Sequence, residues 1–148
     1  MKNDEGQQSS QSIHHIVYCS RAAQHMAKEA LDKIIATAKY HNPRFGITGL
    51  LVFGSGIFFQ WLEGPRDNVT SLFKIISADQ RHTDVVLITK EDEIRERLFP
   101  NWDMELVAAE DISAVLEDAM HEASDPKQKN TLSKLLQELQ KRSLGNSR

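Results

Sequence analysis

The chain has 148 residues, 40% of them hydrophobic and 26% charged, with a formal net charge of −3. That size suits one domain with an ordinary core, and the charge balance lacks the clustered cations of a nucleic-acid surface. No apolar run reaches membrane-spanning length, and the single cysteine, Cys19, excludes an internal disulfide.

Residues 1–12, "MKNDEGQQSSQS", are polar and lack the apolar centre of a signal peptide, so they read as a disordered tail on a cytoplasmic protein. From Ile13, "IHHIVYCS" is a β-branched and aromatic run that predicts a first strand. Ser20 is placed to cap a helix from about Ala22 to Tyr40, with Ala27, Ala30, Leu31, Ile34, Ile35 and Ala38 at three- and four-residue spacing. Asn42-Pro43 ends that helix. "ITGLLVF" and "IFFQWLE" flank Gly54-Ser55-Gly56 as a hairpin. Pro65 and Asp67 open a second helix carrying Val69, Leu72, Phe73 and Ile76 on one stripe. "VVLITK" is a fourth strand, Glu91 to Glu96 a solvated charged loop, and "WDMELVA" a fifth strand. Beyond Ala109 two helical stretches follow, the second with Leu132, Leu135, Leu136 and Leu139 in register.

The order βαββαββ is an α+β, ferredoxin-like pattern, with both crossover helices on one face of the sheet and two C-terminal helices after it. The expected organisation is a tail at 1–12, a domain at 13–109, a helical output or capping segment at 110–142 and a second tail at 143–148. Strand alternation places Phe58, Gln60 and Leu62 on one face and Phe59 and Trp61 on the other. The first and third strands are expected as central, parallel neighbours, setting Tyr18 beside Gln60 under the crossover helices. The simplest role for that pair is to satisfy each other's hydrogen bonds. Three amphiphilic groups facing one slot, Tyr18, Gln60 and Asn42, also suit a flat heteroaromatic ring. The helix-free face needs a cover, either the C-terminal helices or a second subunit.

The stretches "IVYCS", "HNPRFGITGLLVF", "FFQWLEGPRDNV", "LFKIISADQRHTDV" and "RLFPNWDM" together resemble the signature of the BLUF family, flavin-based sensors of blue light. The resemblance implies a non-covalent flavin, FAD with FMN or riboflavin as alternatives, lying between the crossover helices. It implies that Tyr18 donates an electron and a proton to the excited flavin. Gln60 then bridges that tyrosine and the flavin N5 and C4-carbonyl edge. Asn42 meets the far edge of the ring, His41 precedes it as a further cofactor-binding residue, Ile34 and Ile76 clamp the ring's faces, and Asp79 and His82 contact its pyrimidine and ribityl side. Trp102 and Met104 respond to the glutamine. Where many members carry an arginine beside the flavin this chain has Ile75, and the adjacent Lys74 is expected to reach the cofactor phosphate. Trp102 also falls one residue later than in several relatives.

On this reading the chain is a switch and not an enzyme. It signals through the fifth strand and the C-terminal helices to a homo-oligomer or a separate protein partner, with no nucleic acid or membrane involved. Two rivals stand beside it. One is a light-insensitive ferredoxin-like module for interaction or small-molecule binding. The other is a phosphate-handling enzyme of acylphosphatase type, which the glycine-free "SRAAQHM" disfavours.

Overall fold

The computed structural model describes residues 12–23 and 28–141; the expected tails at 1–12 and 143–148 lie outside them, except that Ser12 already opens the first strand. Five strands form one sheet in the order β4-β1-β3-β2-β5. The strands are β1 (Ser12–Ala22), β2 (Thr48–Gly54), β3 (Ile57–Gly64), β4 (His82–Ile94) and β5 (Glu105–Ala108). Helices α1 (Lys28–His41) and α2 (Arg66–Ser77) make the two crossovers, and α3 (Ile112–Glu122) and α4 (Pro126–Lys141) follow β5.

The β2–β3 hairpin closes on a two-residue turn in which Ser55 and Gly56 both have positive φ, 54° and 76°. That twist matches the right-handed coiling of the flanking strands. Because the α1 crossover makes β1 and β2 parallel, β3, lying between them, runs antiparallel to both. The expected parallel pairing of β1 with β3 is therefore corrected. Adjacency survives the reversal, since Tyr18 is directly opposite Gln60.

Three further expectations change. Strand β1 continues through Arg21 and Ala22, which pair with Thr83 and His82. Ser20 is thus a buried strand residue, 2.7 Å from His82 Nδ1, and caps no helix. Strand β4 is longer than its apolar centre because its polar residues still pair with β1, Glu91 opposite His15 and Glu93 opposite Ile13. The segment expected as a solvated loop is therefore mostly strand, and Arg95 just beyond it has a fully buried side chain. At the other end, β5 begins only at Glu105, so Trp102 and Met104 stand in the connection before it.

Each face of the sheet has its own core. Ile16, Leu51, Phe58, Leu62 and Met104 pack under α1 and α2 with Val69, Ile34 and Leu72. On the opposite face Val17, Leu50, Val52, Phe59 and Trp61 pack against Ile112, Leu116, Leu132, Leu135 and Leu139. The C-terminal helices are the cover that face required, and the leucine stripe of α4 is core. At roughly 1.5–3 kcal/mol for each large side chain buried, this second layer contributes to the stability of the whole domain.

Candidate functional site

A cavity of about 580 Å³ lies between α1 and α2, with the sheet as its floor. Ile34, Ala38 and His41 form its α1 wall and Ser71, Leu72, Ile75 and Ile76 its α2 wall. Both sets follow helical spacing, so each helix offers one stripe to the slot. The floor is Tyr18, Leu51, Phe58 and Gln60, and Asn42, Asp79, Arg81 and His82 stand around it. The volume and the mix of apolar walls with a few convergent polar groups are those of a small-molecule site.

Tyr18, 3% exposed, donates its hydroxyl hydrogen to Gln60 Oε1. Burial pushes the phenol's pKa well above its ordinary value, so Tyr18 is a neutral donor. The other end of the amide, Gln60 Nε2, lies 3.2 Å from the sulfur of Met104. A thioether is a weak acceptor, so one end of Gln60 is firmly held and the other loosely. Asn42, buried just past α1, donates from Nδ2 to the Asp103 carbonyl at 3.0 Å and so fixes the segment that carries Met104.

His82 is held at both ring nitrogens. The carbonyl of Ile76, 2.6 Å from Nε2, can only accept, so Nε2 carries the proton and Nδ1 accepts from Ser20. Arg81 donates to the Asp79 carboxylate from Nε and Nη2 at 2.5 to 3.1 Å. These hydrogen bonds bring the Asp79 pKa down to about 2.

The fold thus brings Tyr18, Ile34, His41, Asn42, Gln60, Ile76, Asp79 and His82 to one cavity. Met104 is fully buried behind Gln60. Trp102 is on the far side, half-buried and stacked on Phe99 at 5.4 Å between ring centroids. Lys74 is exposed and does not line the cavity. Arg81 went unremarked in the sequence although it stands between two residues that did not; its charge alone gave no sign of direction. Asn68 and Ser71 were missed as ordinary polar helix residues.

The sequence model of the family described as "Sensors of blue-light using FAD" matches residues 13–105. The chain belongs to the BLUF family. It is 40% identical over 85 residues to the photoactivated adenylate cyclase subunit beta of Euglena longa, a match covering 57% of this chain and 10% of that protein. It is 30% identical over 71 residues to the blue light- and temperature-regulated antirepressor BluF of Escherichia coli, covering 48% of this chain and 18% of the relative. The chain therefore spans only a small part of these curated relatives, and the cyclase activity in the first name belongs to a far longer protein. Among solved structures, BlrB, a BLUF protein in its dark state, superposes with a TM-score of 0.67 at 29% identity, covering 88% of this chain and 99% of that one. The photo-activated state of BlsA gives 0.66 at 26% identity, covering 92% and 96%.

BLUF proteins are flavin-binding photoreceptors. Membership favours flavin-based light sensing over the light-insensitive module and the phosphate-handling enzyme. Among the described residues, no helix is long and apolar enough to cross a membrane.

Proposed function

We propose that residues 13–109 hold FAD in the α1–α2 cavity and switch through Gln60, and that residues 110–142 carry the output. The observation that carries this reading is the amide of Gln60, bonded to Tyr18 at one end and resting on the Met104 sulfur at the other. Ile34 and Ile76 would clamp the ring, with Asn42, His41, Asp79 and His82 at its polar edges. Arg81, at the same rim, is better placed than Lys74 for the anionic part of the cofactor. The family's description supports FAD; the relative BlrP1 of Klebsiella pneumoniae was solved with FMN, which marks the ring as the shared feature.

Bound flavin supplies blue-light absorption and, once excited, an oxidising power that a neutral phenol can meet. The chain's own residues do the rest. Tyr18 is protonated, buried and joined to the cavity through Gln60, so it is positioned to give up an electron and then its proton. Gln60 has a donor end and an acceptor end. Exchanging them replaces the Tyr18 O–H···O bond by an N–H···O bond and turns the carbonyl toward Met104. With only a weak acceptor at the sulfur, the two arrangements differ by about one net hydrogen bond, ~1 kcal/mol. Such a gap can be inverted by a modest change at the cavity. The signal passes to a second copy or a separate protein that reads the C-terminal helices.

The test is an absorption spectrum before and after blue light, with the pigment identified by mass after extraction. The expected result is FAD and a small reversible red shift. Gln60→Leu should retain flavin and lose the shift, and Tyr18→Phe should lose the normal photocycle; a normal shift in the leucine variant would refute the amide switch.

A further inference from the structure

The connection from Phe99 to Met104 is held at two ends. At the cavity end, Met104 touches Gln60 and the Asp103 carbonyl accepts from Asn42. At the other end, the Phe99 N–H donates to Glu63 Oε2 at 2.9 Å, deep on the opposite face of the sheet. Between them Phe99 stacks on Trp102 and meets Trp61 edge-on at 6.4 Å, and Trp61 stacks on His15 at 4.4 Å.

Glu63 belongs to a buried cluster built on Arg95. The guanidinium donates to Glu63 Oε1 at 3.1 Å, to Glu93 Oε1 at 2.5 Å, to the Glu96 carbonyl at 2.8 Å and to His15 Nδ1 at 3.0 Å. The side chains of Arg95 and Glu63 are both 0% exposed. His15, Glu91 and Glu93 place ligand atoms within 4.8 Å of one another, as a metal would need. Arg95 already supplies the positive charge there, and its N–H on Nδ1 leaves the histidine proton on Nε2. The outlet of the cluster is Glu93, whose Oε1 also accepts from the hydroxyl of Thr131, a buried residue of α4, at 3.0 Å.

We propose that this cluster is the joint between the photoactive edge and α4, with Arg95 as positioning residue and the Thr131–Glu93 hydrogen bond as its grip on the helix. An ion pair removed from water gains little over apolar packing of the same volume. What it adds is direction: one planar fork fixes β1, β3, β4 and, through Glu93, α4 in a single register. When Gln60 changes its hold on Met104, the 99–104 connection shifts against its Glu63 anchor. Glu63 shares the guanidinium with Glu93, so the strain reaches Thr131. Two other contacts join this region to the start of α4, Gln128 to the Arg97 carbonyl at 2.7 Å and the Glu96 N–H to Asp125 at 3.0 Å; the assignment to Thr131 is specific against them.

This inference rests on the sensory reading above, and its test separates the two. Amide exchange is followed across residues 126–141 in the flavin-loaded full chain, dark and lit, for wild type, Thr131→Val and Thr131→Ser. Valine keeps the shape and removes the hydroxyl, whereas serine keeps the hydroxyl. The expected result is a light-dependent change in α4 that valine abolishes and serine retains, with the red shift intact in all three. A valine variant whose α4 still responds, or a serine variant that fails like valine, would overturn the joint. So would a wild type that shows the red shift with no response in α4, which leaves the photoreceptor reading standing. A wild type with no red shift removes both.

Discussion

Replacing Arg95 by methionine isolates the energetic weight of the buried cluster. Methionine retains an unbranched stem that can still cover Trp61, over whose ring the guanidinium carbon sits at 5.6 Å, so the change chiefly removes charge and donors. The Glu63 carboxylate, 0% exposed, then keeps the Phe99 N–H at 2.9 Å and a long contact to Thr48 at 3.5 Å. His15 Nδ1 and the Glu96 carbonyl lose their donor. Breaking a buried pair from one side costs about 3–5 kcal/mol, a large part of the 5–15 kcal/mol that holds a typical domain. For a chain of this size that corresponds to a fall in Tm of roughly 6–20 °C. Removing the second charge as well, in Arg95→Met/Glu63→Leu, should recover most of the loss, because an apolar replacement no longer strands a carboxylate. Urea unfolding followed by circular dichroism and tryptophan fluorescence, at fixed excess flavin, measures both. A single variant that loses under about 1 kcal/mol, or a double variant no more stable than the single, would show that water screens the cluster and that its burial is not felt.

Acid should weaken the fold through His15, whose pKa is brought down to about 4 by burial first and by Arg95 second. The unfolded chain takes up that proton near pH 6.5, so stability is full above that value and falls as pH drops toward 4, by on the order of 3 kcal/mol. His15→Gln should flatten the decline in this window, and an unchanged slope would place the proton elsewhere. Ending the chain after Ala109 should uncover Leu50, Val52, Phe59 and Trp61, at about 6–12 kcal/mol together. That equals the stability of most domains, so the fragment should aggregate; a monodisperse, folded fragment by gel filtration and circular dichroism would contradict the shared core.

The periodicity of the sequence was enough to specify which side chains share a face. Alternation in β1 and β3 put Tyr18 and Gln60 under the crossovers, and three- and four-residue spacing turned Ile34 and Ile76 toward them. These are local properties, set by a repeat of two in a strand and about 3.6 in a helix, and the family signature follows the same residues. The direction of β3 against β1 was misread although the hairpin implies it, because adjacency alone does not fix polarity.

Other features were decided only in three dimensions. Arg95 lies in a run of charges indistinguishable from a solvated loop, because the carboxylate that lets it be buried, Glu63, is 32 residues away. Whether Met104 or Trp102 faces Gln60 depends on where β5 starts and how Phe99 stacks, and Asn42 and Glu63 set both across the sheet. The leucine stripe of α4 reads equally well as a partner's surface or as core, until the unfilled face of the sheet places it. Sequence carries the faces of elements because they depend on near neighbours; pairings that bury charge depend on register between distant strands, which only packing establishes.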